Sequence, residues 1–335
     1  MSKGKRYLSI DIFRGLAIAL MVFGNTCLMF KGRVTWADHA LDFGCTPGDL
    51  VAPMFIFAIA MTYKMAFDRG VAREGKLDTY TKFFRRYTCL AGVGFLFHPI
   101  FPISENGIRF AWGTLAAIGL AGLLTLFFIR FSRIMRFALS IAMLVGYQIL
   151  LARPVTTTGG EMALADVNFL DGHGGILGGV AWFSMMLLGT VVVDNFKEQK
   201  LERLLGYGLV MTLLGVGLHA SWQFWDIPAY GGISKERMTT AYVLVGVGFS
   251  TLLFWFIYWL YDVREITGNK SKYFQPLAKN SFFIFLTHPF LVVATYLILP
   301  SDANDAMVLF FAVLNTWLAW RLAVWMDENE HYVII

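Results

Sequence analysis

The sequence predicts an all-α integral membrane protein, a bundle of about ten transmembrane helices. Three observations predict it. Of 335 residues, 57% are hydrophobic and only 15% are charged, against roughly a quarter charged in a soluble domain. The apolar residues fall in ten continuous runs, each near the ~20 residues a spanning helix needs. The basic residues are divided unequally between alternate connections. Mean hydropathy is +0.59. This balance excludes a disordered chain, a coiled coil and a cytosolic enzyme. Continuous rather than alternating runs exclude a β-barrel.

In chain order the runs are Leu8–Leu28, Asp49–Phe67, Phe83–Phe101, Phe110–Ile129, Ile134–Leu151, Ile176–Val193, Leu204–Ser221, Thr240–Tyr261, Asn280–Leu299 and Ala306–Met326. The first follows basic residues as a signal peptide would. It carries Asp11 and Arg14 and lacks a small-residue cleavage site, so it reads as a retained helix. The connections are short and leave no room for a second domain, so residues 1–335 read as one domain. Thirty-two glycines suit closely packed spanning helices.

Of the 28 Lys and Arg residues, 21 fall in one set of alternate loops and termini or in the span ends that face them, six in the other set, and Arg14 within the first span. Cytoplasmic connections carry the excess of Lys and Arg. Both termini are therefore expected in the cytoplasm, as in a bacterial inner-membrane protein. The net charge of +5 then reflects topology and not a nucleic-acid partner.

Two loops on the predicted outer side are polar. Met29–Gly48 holds Trp36, Asp38, His39, Asp42 and Cys45; Ala152–Gly175 holds Asp166, Asp171 and His173. Ionisable groups inside a span are costly and mark candidate sites. Asp11 and Arg14, three apart on one helical face, can pair. Asn25 near the outer end of the first span, His39 in the loop and Asp49 at the start of the second span can converge. An imidazole to move a proton or accept an acyl group, an amide to hold an oxyanion and a carboxylate to orient form an acyl-transfer constellation. Loop ordering by the same three residues is the bland alternative. His288 lies near mid-depth in the ninth span, where it either serves a site or bonds a neighbouring helix. Cys27 and Cys45 both fall outside, where an oxidising compartment would let them pair. No spacing reads as a metal site, and no nucleotide-binding glycine motif is present. A transporter or flippase with a buried polar path is the competing class.

The stretch RYLSIDIFRGLAIALMVFGN, followed by DHALDFGCTPGDLVAPMFIF, resembles the heparan-α-glucosaminide N-acetyltransferase family, with its YeiB-like relatives in a wider transmembrane acyltransferase superfamily. The matching positions are Asp11, Arg14-Gly15, Asn25, His39-Ala40 and Asp49-Leu50-Val51-x-Pro53. Looser matches are Arg109, the stretch Asp171–Gly178, and Asn280-Ser281 with His288. The resemblance implies acetyl-coenzyme A as donor on the cytoplasmic side and an amino sugar or glycan as outer acceptor. It implies His39 as the active-site histidine with Asn25 beside it. Arg14, Asp11, Arg109, Asn280 and His288 are implied as donor- or substrate-binding groups. Lys82, Arg85, Arg86 and Arg130 are candidate contacts for the donor's phosphates. No metal, membrane lipid as surroundings and a homodimer as an accessible assembly complete the expectation. One departure is Asp42, where the family often has Trp.

Overall fold

The computed structural model describes residues 7–97, 112–157, 160–225, 231–266, 273–300 and 302–333. In their described parts the predicted spans fall on helices; residues 98–101 of the third and 110–111 of the fourth lie outside the described residues. In chain order these are α1 (Leu8–Leu28), α2 (Val51–Glu74), α3 (Lys76–Phe97), α4 (Thr114–Phe128), α5 (Arg133–Leu151), the short α6 (Leu164–Asp171), α7 (Gly179–Lys197), α8 (Leu201–Trp225), α9 (Thr240–Tyr258), the short α10 (Gln275–Lys279), α11 (Ser281–Ile298) and α12 (Asp305–Glu328). A 3-10 turn, Pro47–Leu50, leads into α2, and a π turn, Trp259–Val263, ends α9. Among the described residues eight helices are long and apolar enough to cross a membrane. The other two expected spans are α3, whose first half carries Lys76, Lys82, Arg85 and Arg86, and α4, which is shorter. The protein is thus a multi-pass, all-α membrane protein.

The polar loop predicted at 152–175 contains a small hairpin. β1 (Pro154–Thr157) pairs antiparallel with β2 (Gly160–Ala163), and α6 follows.

The chain forms two compact units. The first contains Met1–Ala40, Thr46–Ala58 and Leu252–Ile334; the second contains Leu41–Cys45 and Ile59–Thr251. In the first unit, α1 packs on α11 and α12 through Ile18, Met21, Val22, Ile284, Ala319 and Ala323. The backbone N–H groups of Leu8 and Ser9, orphaned at the start of α1, donate to the Asp262 carboxylate at 3.1 and 2.9 Å. Arg14 reaches Ser281, and Asn25 reaches His288, so contacts advance along both chains together. α1 and α11 therefore run in the same direction. Asn280 bonds the Ala323 carbonyl and Asn315 bonds Thr295, so α12 runs opposite to α11. These are the directions that spans one, nine and ten must have in a ten-span chain. Asn315 also reaches Thr26 at 3.1 Å, which leaves its buried amide bonded to two helices.

In the second unit α7 is the core helix, with 89% of its apolar stretch buried. α3 and α4 approach so closely that a Cβ on Gly94 or Gly119 would strike the backbone of Ala116 or Ala91. The glycines do there what small residues do between spanning helices. α8 keeps Leu213, Leu214 and Val210 exposed, as a lipid-facing helix would.

Candidate functional site

His39 is positioned by the start of the second span. The segment Thr46-Pro47-Gly48-Asp49 makes a capping box: Thr46 caps the turn and Asp49, three residues on, reaches back. One carboxylate oxygen of Asp49 accepts from the backbone N–H groups of Thr46 (2.9 Å) and Ala40 (3.2 Å) and lies 3.0 Å from the Thr46 hydroxyl. The other oxygen lies 2.9 Å from His39 Nδ1. Asp49 is buried, with 1% of its side chain exposed, while His39 is 30% exposed. The carboxylate is thus fixed on one side and presents its second oxygen to an imidazole open to the outside. With Nδ1 facing Asp49, Nε2 lies on the opposite side of the ring. Gly48 makes the approach possible: a Cβ there would collide with the Ala37 carbonyl and lie 3.6 Å from His39 Nδ1.

Asn25 belongs to a second pair. Its amide nitrogen lies 2.8 Å from His288 Nε2, and His288 Nδ1 lies 2.7 Å from the Phe285 carbonyl. The reason is local. Pro289 has no N–H, so the carbonyl four residues back, that of Phe285, loses its helical donor. His288 Nδ1–H supplies the replacement. Nε2 is then the accepting nitrogen, and the Asn25 N–H donates to it. Among the described residues Asn25 bonds to His288 and not to His39, so the expected three-residue constellation resolves into two pairs, His39–Asp49 and Asn25–His288.

The other expected site residues are distributed as follows. Arg14 Nη2 donates to Ser281 Oγ at 2.9 Å, joining α1 to α11. Asp11 lies on α1 one turn earlier and is half-buried. Asn280 is buried and donates to the Pro276 and Ala323 carbonyls, both at 3.2 Å. Arg109 lies outside the described residues. Cys27 is buried in α1 and Cys45 is exposed, and among the described residues the two are not joined in the disulfide considered from the sequence.

Sequence reasoning missed the centre of a polar cluster in the second unit. Arg237, with 7% of its side chain exposed, pairs with Asp42 and with Asp166, the latter at 3.2 Å, and lies 4.8 Å over the Phe43 ring. The neighbouring Glu236 accepts from the His173 backbone N–H at 3.0 Å. Both polar loops flagged on the predicted outer side therefore converge on the segment 231–239. Asp42, the departure from the family's Trp, is one of the two carboxylates holding that guanidinium. The available signal was Lys235-Glu236-Arg237, a charged triplet between two apolar spans.

In this helical membrane protein a buried carboxylate holds one nitrogen of a partly exposed imidazole, an arrangement that can move a proton. Residues 6–224, well over half of the chain, match the family described as heparan-alpha-glucosaminide N-acetyltransferase, catalytic. The chain belongs to that family and is a membrane acetyltransferase. Asn25, His39 and Asp49 lie inside the matched stretch; Asn280 and His288 lie beyond it. Comparison with curated proteins gives no match.

Proposed function

We propose that residues 1–335 form one acyltransferase domain that takes an acetyl group from cytoplasmic acetyl-coenzyme A and gives it to an amino sugar or glycan on the extracytoplasmic side. The observation that carries this reading is the contact between His39 Nδ1 and Asp49 Oδ1 at 2.9 Å. A buried carboxylate that holds one ring nitrogen orients the other for proton transfer and stabilises the imidazolium that forms.

The acceptor amine attacks the thioester carbonyl carbon. His39 Nε2 takes the proton that leaves the attacking nitrogen, and Nδ1–H stays on Asp49. The carbonyl oxygen becomes an oxyanion. Asn25 spends one amide N–H on His288 and keeps its second N–H for that oxygen. Collapse breaks the carbon–sulfur bond, and the imidazolium returns its proton to the departing thiolate. The products are the N-acetylated acceptor and free coenzyme A. Both termini in the cytoplasm would put His39 on the acceptor side and most basic residues on the donor side.

The test is release of coenzyme A thiol by purified protein in proteoliposomes, supplied with labelled acetyl-coenzyme A and a panel of amino sugars and glycans. Acceptor-dependent thiol release with label on the acceptor is expected. Wild-type protein that released no thiol with any acceptor would sink the reading. Label on His39 after incubation with donor alone would replace direct transfer with an acetyl-histidine route.

A further inference from the structure

One end of the second unit gathers the chain's basic residues around a cavity. There α4 ends, α5 begins, and α2 and α7 approach their last turns. The cavity is about 330 Å³ and is lined by Lys64, Asp68, Arg130, Arg133, Arg136 and Asp194, with apolar neighbours. Most of these charges already have partners. Asp68 receives Lys64 at 2.6 Å and Lys197 at 2.5 Å. Glu198 is shared by Arg133 (3.0 Å), Lys200 (2.8 Å) and Arg203 (3.2 Å); the Lys200 hydrogen bond foremost, and then Arg133, hold its carboxyl below the usual range. Arg136, 1% exposed, has its three nitrogens on the Phe131 carbonyl, Thr190 and Asp194, so it frames the wall. Arg130 is exposed and makes no hydrogen bond or ion pair among the described residues.

The arithmetic at this end is one-sided. Among the described residues the ion pairs of Lys64, Arg133, Arg136, Lys197, Lys200 and Arg203 are made with Asp68, Asp194 and Glu198, with Glu202 beside Arg203, and Arg130 adds a further cation. Topology alone asks for basic residues in loops near the helix ends. It does not ask that Lys64 and Arg136 sit on helices and line a cavity, or that Arg136 be buried. What the arrangement lacks is negative charge, and Arg130 stands at the cavity with its whole guanidinium unspent. A phosphate group carries one charge as a diester and up to about two as a monoester, with several acceptor oxygens, which converging guanidinium and ammonium donors match better than a single carboxylate does.

We propose that this cavity is a phosphate-binding site, filled either by a phosphate of the donor nucleotide or by the headgroup of an anionic phospholipid. Arg130 is its primary contact; Arg133 and Lys64 contribute the donors that their carboxylates leave over. Only the nucleotide source rests on the acyl-transfer reading.

The experiment uses the full chain in nanodiscs of phosphatidylcholine. In one arm, calorimetry measures binding of adenosine 3′,5′-bisphosphate, with adenosine as the phosphate-free control. In the other, the nanodiscs contain phosphatidylglycerol, and native mass spectrometry counts the lipids retained on the released protein. The variants are R130Q and R130Q/R133Q. Affinity for the bisphosphate lower by roughly tenfold in R130Q, a charged hydrogen bond's worth, supports the nucleotide source. Loss of retained phosphatidylglycerol supports the lipid source. If the double variant fails to fold, R130Q alone decides, because its side chain has no partner to lose. Both arms unchanged in R130Q overturn the site. Protein that binds the bisphosphate through Arg130 and yet transfers no acetyl group would leave the site standing and sink the function.

Discussion

His288 Nε2 accepts from the Asn25 amide at 2.8 Å, and Pro289 is what makes it an acceptor. The proline frees the Phe285 carbonyl, the carbonyl takes Nδ1–H at 2.7 Å, and the other ring nitrogen turns to Asn25. On the proposed mechanism His288 would be a positioning residue that fixes which way the Asn25 amide faces. Replacing His288 with Leu should lower kcat by roughly 10- to 100-fold, the scale of a small misplacement at a reacting centre, with KM for acetyl-coenzyme A little changed. Combining it with Asn25→Ala should cost no more than Asn25→Ala alone, which should itself cost about 100-fold or more. Pro289→Ala returns an N–H to the Phe285 carbonyl and should reproduce part of the His288→Leu defect in folded protein. Additive losses in the double variant would detach His288 from Asn25.

The His39–Asp49 pair makes a sharper prediction. His39→Ala should abolish acetyl transfer and leave expression and coenzyme A binding intact. Asp49→Asn keeps an acceptor oxygen for the Thr46 and Ala40 N–H groups. It turns an amide N–H toward His39 Nδ1, which favours the wrong tautomer. A loss of about 10⁴-fold in kcat is the scale seen when a histidine's carboxylate is so replaced. His39→Ala protein that transfers acetyl groups at the wild-type rate would remove His39 from the mechanism.

The reach of sequence reasoning follows from how local each feature is. The helical membrane architecture, with eight helices long and apolar enough to span among the described residues, was legible because a membrane selects for length and apolarity, both read along the chain. The His39–Asp49 pairing was legible because Thr46 to Asp49 is a capping interval and one short loop joins its members. The partner of Asn25 was not, because it depends on α1 lying beside α11, more than 250 positions away. Pro289 was a local signal that could have been used: a histidine followed by proline has a carbonyl three residues back without its helical donor. Arg237 was hidden because Asp42 and Asp166 come to it from two distant loops. The hairpin at 154–163 was hidden because its glycines and threonines read equally well as a connector.

Gly48 should tolerate no side chain. Its Cβ would overlap the Ala37 carbonyl, which is backbone and cannot rotate away. Gly48→Ala should therefore cost about 1–3 kcal/mol, as overpacking does, or displace the loop and with it His39. Thermal unfolding and acetyl transfer measured together check this. Unchanged values for both would mean that the loop yields freely.

Orientation has its own test. With 21 of 28 basic residues in, or at span ends facing, the set of connections that includes the termini, the C-terminus should be cytoplasmic. A reporter active only in the periplasm, fused after Ile335, should be silent. High activity would reverse the sidedness of His39.

The Arg237 cluster should respond unequally to losing its two signs of charge. Asp42 and Asp166 are 52% and 41% exposed, while Arg237 is 7% exposed. Arg237→Met leaves two carboxylates that water already reaches, and the Met side chain can keep contact with the Phe43 ring. That change should cost little, about 1 kcal/mol or less. Asp42→Asn with Asp166→Asn leaves a guanidinium that has lost both countercharges and that water barely reaches. Stranding a fully buried charge costs about 3–5 kcal/mol, and a cluster half open to water should show a fraction of that, about 1–3 kcal/mol. The double Asn variant should therefore have the lower Tm of the two, compared in one detergent at one scan rate because unfolding of such proteins is often irreversible. If Arg237→Met were instead the less stable, the side chain would matter through packing, and the two carboxylates would be incidental to it.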